Sequence, residues 1–212
     1  MSDRPDKRTG SEHRIKEAKN INGKGTVVIV SGPSAVGKST ICKEVVKRLN
    51  YVQISVSVTT RAKAQGEVDG VDYRFISKQQ FDEQIKKGLL LEYADVFGHM
   101  YGTPKSNVDQ ALRAGKTIIL EIDVQGAKLA KAIYPEAVMI FILPPSHADL
   151  AKRLNNRNRD DDEAAEKRLD AAGTEIAAAW QYYKYMVINE DLKHAVNEMV
   201  QIIEQNVGEK KQ

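Results

Sequence analysis

The stretch Gly32-Pro33-Ser34-Ala35-Val36-Gly37-Lys38-Ser39 decides the fold of this chain, because it has the form G-x-x-x-x-G-K-[ST] of a phosphate-binding loop. It follows the apolar, β-branched run 26–30 and precedes a segment with helical character, which is the setting that such a loop requires. Glycines let the backbone curl its N–H groups toward a polyphosphate, and the positive end of the following helix adds to the attraction. We expect Lys38 to span the β- and γ-phosphates and Ser39 to hold Mg²⁺. An ordinary glycine-rich turn between a strand and a helix is the alternative.

The composition is typical of one α/β domain. With 212 residues, of which 42% are hydrophobic, the chain can bury a sizeable core but has little room for two full domains. Cys42 is its single cysteine, so no disulfide framework is expected and a reducing compartment is favoured. The longest apolar run, residues 137–143, is too short for a membrane span, and the N-terminus lacks the apolar core of a signal peptide. We therefore expect a cytoplasmic protein without a membrane partner.

The formal charge of +3 is concentrated at the N-terminus. Residues 1–25 carry seven Lys or Arg and four Asp or Glu, so the rest of the chain is formally neutral. A nucleic-acid ligand requires a basic face on the folded domain, and no nucleic-acid partner is therefore expected. Residues 1–24 have the composition of a flexible, solvated arm, with a contact role as the alternative. The four histidines show no metal-ligand spacing, so no zinc site is expected.

Strand-like and helix-like segments alternate along most of the chain, as a parallel sheet with crossover helices requires. The rhythm breaks over 59–107, where glycines separate short alternating pieces such as 73–76, and we interpret this region as an inserted α+β lobe. The predicted strands are 27–30, 52–58, 117–122, 137–143 and 186–188, and the predicted helices are 39–49, 126–133, 147–157, 164–185 and 192–206.

Two acidic residues stand near the end of the predicted strand 117–122. Glu121 and Asp123 are two positions apart, so their side chains would project to the same side of a strand. Ligands of open α/β sheets bind at the carboxyl ends of the strands, which is where both side chains would lie. Helix capping or a solvated strand end is the alternative for these acids.

Several motifs in combination closely resemble those of the guanylate kinase family. They are GPSAVGKST at 32–40, SVSVTTRAKAQGE at 55–67, GVDY at 70–73, YGT at 101–103, ILEIDVQG at 119–126, and the pair Arg157 and Arg168. The likeness covers residues 25–207 and leaves 208–212 as a C-terminal tail. It implies the α/β fold of a P-loop nucleoside monophosphate kinase, with a parallel sheet and flanking helices. It also implies transfer of the γ-phosphoryl group of ATP to GMP or dGMP.

The resemblance divides the domain into three parts. It implies a core at 25–58 and 108–207, a GMP-binding lobe at 59–107, and a short mobile lid at about 155–165. The implied ligands are ATP, GMP and Mg²⁺. The sequence leaves the oligomeric state open, with a homodimer among the alternatives.

On the GMP side, the chemistry of guanine explains the residues that the resemblance assigns. Guanine presents N1–H and N2–H donors beside its O6 acceptor, so a selective pocket needs a carboxylate facing the donors and hydroxyl groups facing O6. A guanidinium fork suits the oxygens of the GMP phosphate. Glu67 is expected to orient Arg61, and Glu121 is counted with the GMP site. The guanine-binding positions of the family correspond to Ser57, Glu92, Thr103 and Asp123, and its phosphate-binding positions correspond to Arg61, Tyr73 and Tyr101.

On the ATP side, phosphoryl transfer depends on positioning and charge neutralisation, since the attacking phosphate is already anionic. Lys38, Mg²⁺ and the lid arginines Arg157 and Arg168 would supply the charge, with both arginines reaching the triphosphate when the lid closes. Asn189 corresponds to a loop residue near the adenine. Thr40 completes the nucleotide-binding motif.

Two positions depart from the family pattern. The family usually places a second arginine three residues after the one that matches Arg61, and this chain has Ala64 there with Lys63 beside it. A lysine restores part of the charge but not the bidentate fork. Ala35 stands where the phosphate loop commonly has another glycine, and we expect its backbone to need no positive φ. The departures leave open a less active paralogue. Separate alternatives to the enzyme are a different P-loop kinase and a guanylate-kinase-like module that binds a protein partner, although such modules typically lack a competent phosphate loop.

Overall fold

The computed structural model describes residues 25–155 and 162–208. Five strands form its central sheet: β1 (Thr26–Ser31), β2 (Val52–Ile54), β7 (Thr117–Glu121), β8 (Val138–Leu143) and β9 (Tyr185–Ile188). Their order is β2-β7-β1-β8-β9, and every neighbouring pair is parallel. The predicted α/β class with a parallel sheet is confirmed.

Side chains of the central strands alternate between two cores, one on each face of the sheet. On β1, Val28 and Val30 join one core, while Val27 and Ile29 join the other. This is expected of a strand that is buried on both sides. Five helices cover the two faces: α1 (Lys38–Arg48) and α7 (Leu192–Gly208) the first, and α3 (Lys105–Arg113), α4 (Val124–Ile133) and α6 (Asp162–Tyr182) the second. A further helix, α5 (His147–Asn155), packs against α6.

A second, smaller sheet lies between β2 and β7 in the chain. Its strands are β3 (Val58–Thr59), β4 (Arg74–Phe75), β5 (Leu90–Val96) and β6 (His99–Pro104), in the order β4-β3-β6-β5. Helix α2 (Lys78–Lys86) begins with a capping box and buries Phe81 against Val58 and Leu90. We call these elements, residues 58–104, the small lobe.

Some predicted element bounds are wrong, and the reasons are local. The predicted strand 52–58 is two strands, because Val58 pairs with Gly102 in the small lobe while the chain before it pairs with β7. The apolar pattern is continuous there and does not mark the change of sheet. The helix predicted from residue 126 begins at Val124, since the preceding residue caps it. The helix predicted to reach Tyr185 ends three residues earlier, and Tyr185 begins β9.

Three predictions fall outside the described residues: the N-terminal arm at 1–24, the last residues of the C-terminal tail, and the middle of the predicted lid with Arg157. Within 25–155 and 162–208, no helix is both long enough and apolar enough to cross a membrane.

Candidate functional site

A cleft of about 650 Å³ opens where the central sheet faces the small lobe. Its walls come from the phosphate loop and α1, the carboxyl end of β7, the small lobe and one side of α6. Most of the predicted site residues line it: Gly32, Ser34, Ala35, Gly37, Lys38, Ser39, Thr40, Ser57, Arg61, Glu67, Tyr73, Glu92, Tyr101, Glu121, Asp123 and Arg168. Four predicted site residues do not line the cleft: Pro33, Val36, Thr103 and Asn189. Any effect of these residues on a ligand would pass through the residues that they contact.

The loop between β1 and α1 is a tight turn with several left-handed residues. Gly32 and Gly37 have φ values of 151° and 100°. A Cβ at Gly32 would lie 2.4 Å from the carbonyl oxygen of Ile142, so a side chain there has no space. The expectation for Ala35 is wrong, because its φ is 65° and lies in the region that costs a non-glycine residue about 1–2 kcal/mol. Helix α1 begins directly after this turn and has no side-chain cap. Its first residues line the cleft, so the positive end of the helix is available to a ligand there.

Two residues from elsewhere in the chain, Asn189 after β9 and Arg153 on α5, hydrogen-bond to the backbone of the phosphate loop, and we call them the clamp. Asn189, which is buried and follows β9, donates from Nδ2 to the Val36 carbonyl at 2.7 Å. Arg153 donates to the same carbonyl at 3.2 Å and to the carbonyl of Asn189 at 2.9 Å. A Cβ at Gly37 would lie 2.4 Å from Asn189 Nδ2, so glycine makes room for this clamp. Proximity of Asn189 to adenine stays a prediction, whereas its contact with the loop is direct.

Two groups that the sequence links to phosphate and metal lie at the start of α1. The Lys38 ammonium donates to the carbonyls of Gly32 and Pro33 at 2.5 and 2.9 Å, so its side chain folds over the loop. Ser39 Oγ donates to Glu121 Oε1 at 2.6 Å. Glu121 reaches this serine because β7 and β1 are neighbours in the sheet. The structure therefore places Glu121 beside the phosphate loop.

The Ser39–Glu121 pair has the chemistry of a magnesium site. Mg²⁺ takes oxygen ligands, usually one or two from the protein together with water and phosphate. A hydroxyl and a carboxylate fit that donor set. Within the described ranges, no group of three or more His, Cys, Asp or Glu could hold a metal. An ion at this pair would take its remaining ligands from water and nucleotide phosphates.

Glu92 is a buried acid on β5. It is 4% exposed, and Thr103 Oγ1 donates to its Oε1 at 2.6 Å. Burial raises the pKa of the Glu92 carboxyl to about 7, and the negative charge of Asp123 adds to the rise although the Thr103 hydrogen bonds oppose it. A ligand that brings N–H donors would favour the ionised form and be held by it.

Asp123 and Glu92 both lie next to Gly126, which separates their carboxylates. Asp123 follows β7 and caps α4, accepting from Gly126 N at 2.9 Å, so the capping alternative describes its local structure. The prediction that Glu121 and Asp123 share one side of a strand is wrong for this reason. A Cβ at Gly126 would lie 2.4 Å from Glu92 Oε2 and 3.1 Å from Asp123 Oδ1. The glycine thus permits two carboxylates to converge on one wall of the cleft.

Arg61 is the centre of a cluster of polar and aromatic side chains in the small lobe, which we call the Arg61 group. Its Nη2 donates to Glu67 Oε1 at 2.8 Å, its Nε donates to the Tyr101 hydroxyl at 3.2 Å, and the Tyr73 ring lies 5.5 Å away. Burial opposes the guanidinium charge, but the hydrogen bonds to Glu67 and Tyr101 raise the pKa of Arg61. Burial also raises the pKa of the Tyr73 hydroxyl well above its usual range, so this group remains a donor. Ala64 lines the cleft beside this group and donates from its backbone N to Glu67 Oε2 at 2.8 Å.

Helix α6 contributes charged groups to the opposite wall. Arg168 donates from Nη1 to Ser34 Oγ at 3.1 Å, and its guanidinium lies 4.6 Å from the Phe97 ring. Glu175, two turns further along α6, also lines the cleft, and burial raises the pKa of its carboxyl to about 7 against the opposing charge of Lys38. The sequence predicted Arg168 but missed Glu175 and Phe97. One is an acid in an alanine-rich helix and the other a turn residue, and neither belongs to a phosphate-binding motif.

Two positively charged centres therefore face one cleft, Lys38 of the phosphate loop and the Arg61 group, and the buried Glu92 carboxylate lines the same cleft. This arrangement on a doubly covered parallel sheet defines a P-loop nucleotide kinase. A family model described as guanylate kinase matches residues 24–206, and the chain belongs to the guanylate kinase family.

Individual relatives agree with this assignment. A guanylate kinase of Carboxydothermus hydrogenoformans is 48% identical over 180 residues, which are 85% of this chain and 88% of the relative. A guanylate kinase of Clostridioides difficile is 46% identical over 180 residues, covering 85% and 87%. The crystal structure of guanylate kinase from Anaplasma phagocytophilum superimposes with a TM-score of 0.73 at 31% identity and covers 86% of each chain. The resemblance stated from the motifs is confirmed.

Proposed function

We propose that this chain transfers the γ-phosphoryl group of ATP to GMP or dGMP, giving ADP and the guanosine diphosphate. The observation that carries the proposal is the buried Glu92, held by Thr103 and facing Asp123 across Gly126. Guanine can donate N1–H and N2–H to such carboxylates, whereas adenine would place its N1 lone pair against them. Membership of the guanylate kinase family supports the same substrate.

Each end of GMP has a matching group in the small lobe or directly before it in the chain. Arg61 is held by Glu67 and presents its guanidinium beside Tyr73 and Tyr101, and these groups would bind the GMP phosphate. Ser57, which is 8% exposed and lines the cleft, would supply a hydroxyl to the guanine. The phosphate would then point from the small lobe toward the phosphate loop.

The ATP side supplies positive charge at the phosphates. Lys38 would move from the loop carbonyls to the β- and γ-phosphates, and the edge of Arg168 points at the same loop. Ser39 and Glu121 would hold Mg²⁺, which when bound neutralises charge on the β- and γ-phosphates. The GMP phosphate is anionic, so the chain needs no strong base to activate it. Arg157 is proposed as a second arginine for the triphosphate.

The proposal is tested by measuring ADP release with GMP, dGMP, AMP, UMP and CMP as acceptors. We expect GMP and dGMP to be used and the other three to have at least 100-fold lower kcat/KM. Lys38→Ala is the matched control, with kcat reduced at least about 100-fold and GMP affinity nearly unchanged. A kcat/KM for AMP, UMP or CMP within tenfold of that for GMP would contradict the proposal. A homodimer and a cytoplasmic location stay predictions.

A further inference from the structure

The β5–β6 hairpin ends in a strained turn. Phe97 and Gly98 are its two central residues, because Val96 and His99 on either side are paired. Their φ values are 52° and 78°, and positive φ at both positions is the pattern of a type I′ turn. Such turns favour Asn-Gly, and a bulky aromatic residue is an outlier there. Phe97 is 43% exposed and lines the cleft, so core packing does not account for its presence.

The Phe97 ring supports the guanidinium of Arg168. Arg168 Cζ lies 4.6 Å from the ring centroid, within the range of a cation–π contact. The same guanidinium donates from Nη1 to Ser34 Oγ of the phosphate loop at 3.1 Å. Stacking uses the face of the guanidinium and hydrogen bonding uses its edge, so the ring can hold the group while an N–H points at the loop. Helix α6 supplies the arginine, and the tip of the small lobe contacts the face of its guanidinium.

We propose that Phe97 is a positioning residue that directs Arg168 toward the phosphates of ATP and couples the ATP site to the GMP site. Phe97 forms the tip of the hairpin whose strands carry Glu92 and Tyr101. GMP bound to those groups stabilises the hairpin where it contacts Arg168, and the arginine in turn stabilises the triphosphate. The coupling is reciprocal, because each ligand favours the same arrangement. The role in phosphoryl transfer rests on the proposed function.

Phe97→Leu tests the ring without removing the apolar side chain. A partly exposed cation–π contact corresponds to about a two- to fivefold change in affinity. We expect the Kd of a non-hydrolysable ATP analogue, measured calorimetrically with GMP present, to rise by that factor and kcat/KM for ATP to fall similarly. Phe97→Tyr keeps the aromatic face and should stay close to wild type. Leu89→Ala, which removes another exposed apolar side chain from the small lobe, is the control and should bind the analogue normally.

Phe97→Asn separates function from stability. Asparagine is favoured at this turn position, so the variant should melt a few degrees higher than wild type while it binds the ATP analogue as weakly as Phe97→Leu. If Phe97 had only a structural role, its substitution would lower the melting temperature and the affinity for the ATP analogue together. A double-mutant test repeats Phe97→Leu in an Arg168→Gln background, where the ring has no guanidinium to hold. There the substitution should cause no further loss of affinity for the ATP analogue.

The inference is overturned if Phe97→Leu and Phe97→Asn bind the ATP analogue like wild type, or if the loss persists in the Arg168→Gln background. The proposed function is judged separately, on the acceptor specificity of the wild-type protein. If the wild-type protein does not phosphorylate GMP, but Phe97→Leu still weakens binding of the ATP analogue, the proposed function is refuted. The positioning of Arg168 by Phe97 is then retained.

Discussion

Glu92→Gln should make the folded protein more stable at alkaline pH while it weakens guanine recognition. Burial raises the pKa of this carboxyl from 4.5 to about 7, so between these values the folded state binds more protons than the unfolded state. The free energy of unfolding therefore falls as pH rises through this window. The shift corresponds to about 2–3 kcal/mol between pH 5 and pH 8.5. Glutamine retains an acceptor for Thr103 and carries no charge, so the variant should not show this loss.

The assay is urea unfolding of wild type and variant at several pH values from 5 to 8.5. The difference in unfolding free energy should move in favour of Glu92→Gln by about 2–3 kcal/mol as pH increases. Glu83→Gln, which removes an exposed carboxylate from α2 of the same lobe, is the matched control and sets the baseline. A difference that stays constant within about 0.5 kcal/mol across the range would refute the reasoning from burial.

The same variant also has a kinetic signature. In wild type, kcat/KM for GMP should rise as pH passes 7, because only the ionised carboxylate accepts from both N–H donors of guanine. In Glu92→Gln this rise should be absent, and the preference for GMP over AMP should fall at least about tenfold. If the ratio of kcat/KM for AMP to that for GMP in Glu92→Gln stays within about threefold of the wild-type ratio, Glu92 does not recognise the guanine base.

Three further predictions, tested with four substitutions, concern other parts of the site. Ala64→Arg should tighten GMP binding about tenfold, measured by calorimetry, because it restores the second arginine of the family pattern. If neither Ala64→Arg nor Lys63→Ala changes the affinity for GMP, other residues hold the GMP phosphate. Gly126→Ala should lower kcat/KM for GMP at least about tenfold with ATP binding retained, because its Cβ would lie 2.4 Å from Glu92 Oε2; normal GMP kinetics would contradict the convergence of the acids. Asn189→Ala should weaken ATP binding and lower stability by about 1–3 kcal/mol, and unchanged ATP affinity would mean that the clamp does not shape the loop.

The parts of the site that could be predicted from the sequence are those with a local pattern. The phosphate loop is contiguous, and its glycines fill positions where the backbone has positive φ. The position of Glu121 at the end of a core strand followed from hydrophobic periodicity and strand length. For Asp123 the two-residue alternation of a strand does not apply, because β7 ends at Glu121 and Asp123 caps the next helix.

The parts that could not be predicted depend on packing between distant elements. Arg153 is one of several charged residues in a polar helix, and only the meeting of α5 with the end of β9 makes it a loop partner. Glu175 becomes a cleft residue only because α6 turns that face toward the phosphate loop. The strain at Ala35 was missed because the sequence does not reveal how tightly the loop turns before α1.

The bond between Asn189 and the Val36 carbonyl joins residues 153 positions apart, and this separation orders events on the ribosome. Strand β1 and the phosphate-binding motif leave the exit tunnel early, whereas the partner of that carbonyl is translated near the end of the chain. A nascent chain stalled before residue 189 contains the complete motif but lacks one of the two side chains that hydrogen-bond to the Val36 carbonyl. We therefore expect full ATP affinity to appear late in translation, after Asn189 has joined Arg153 at the Val36 carbonyl.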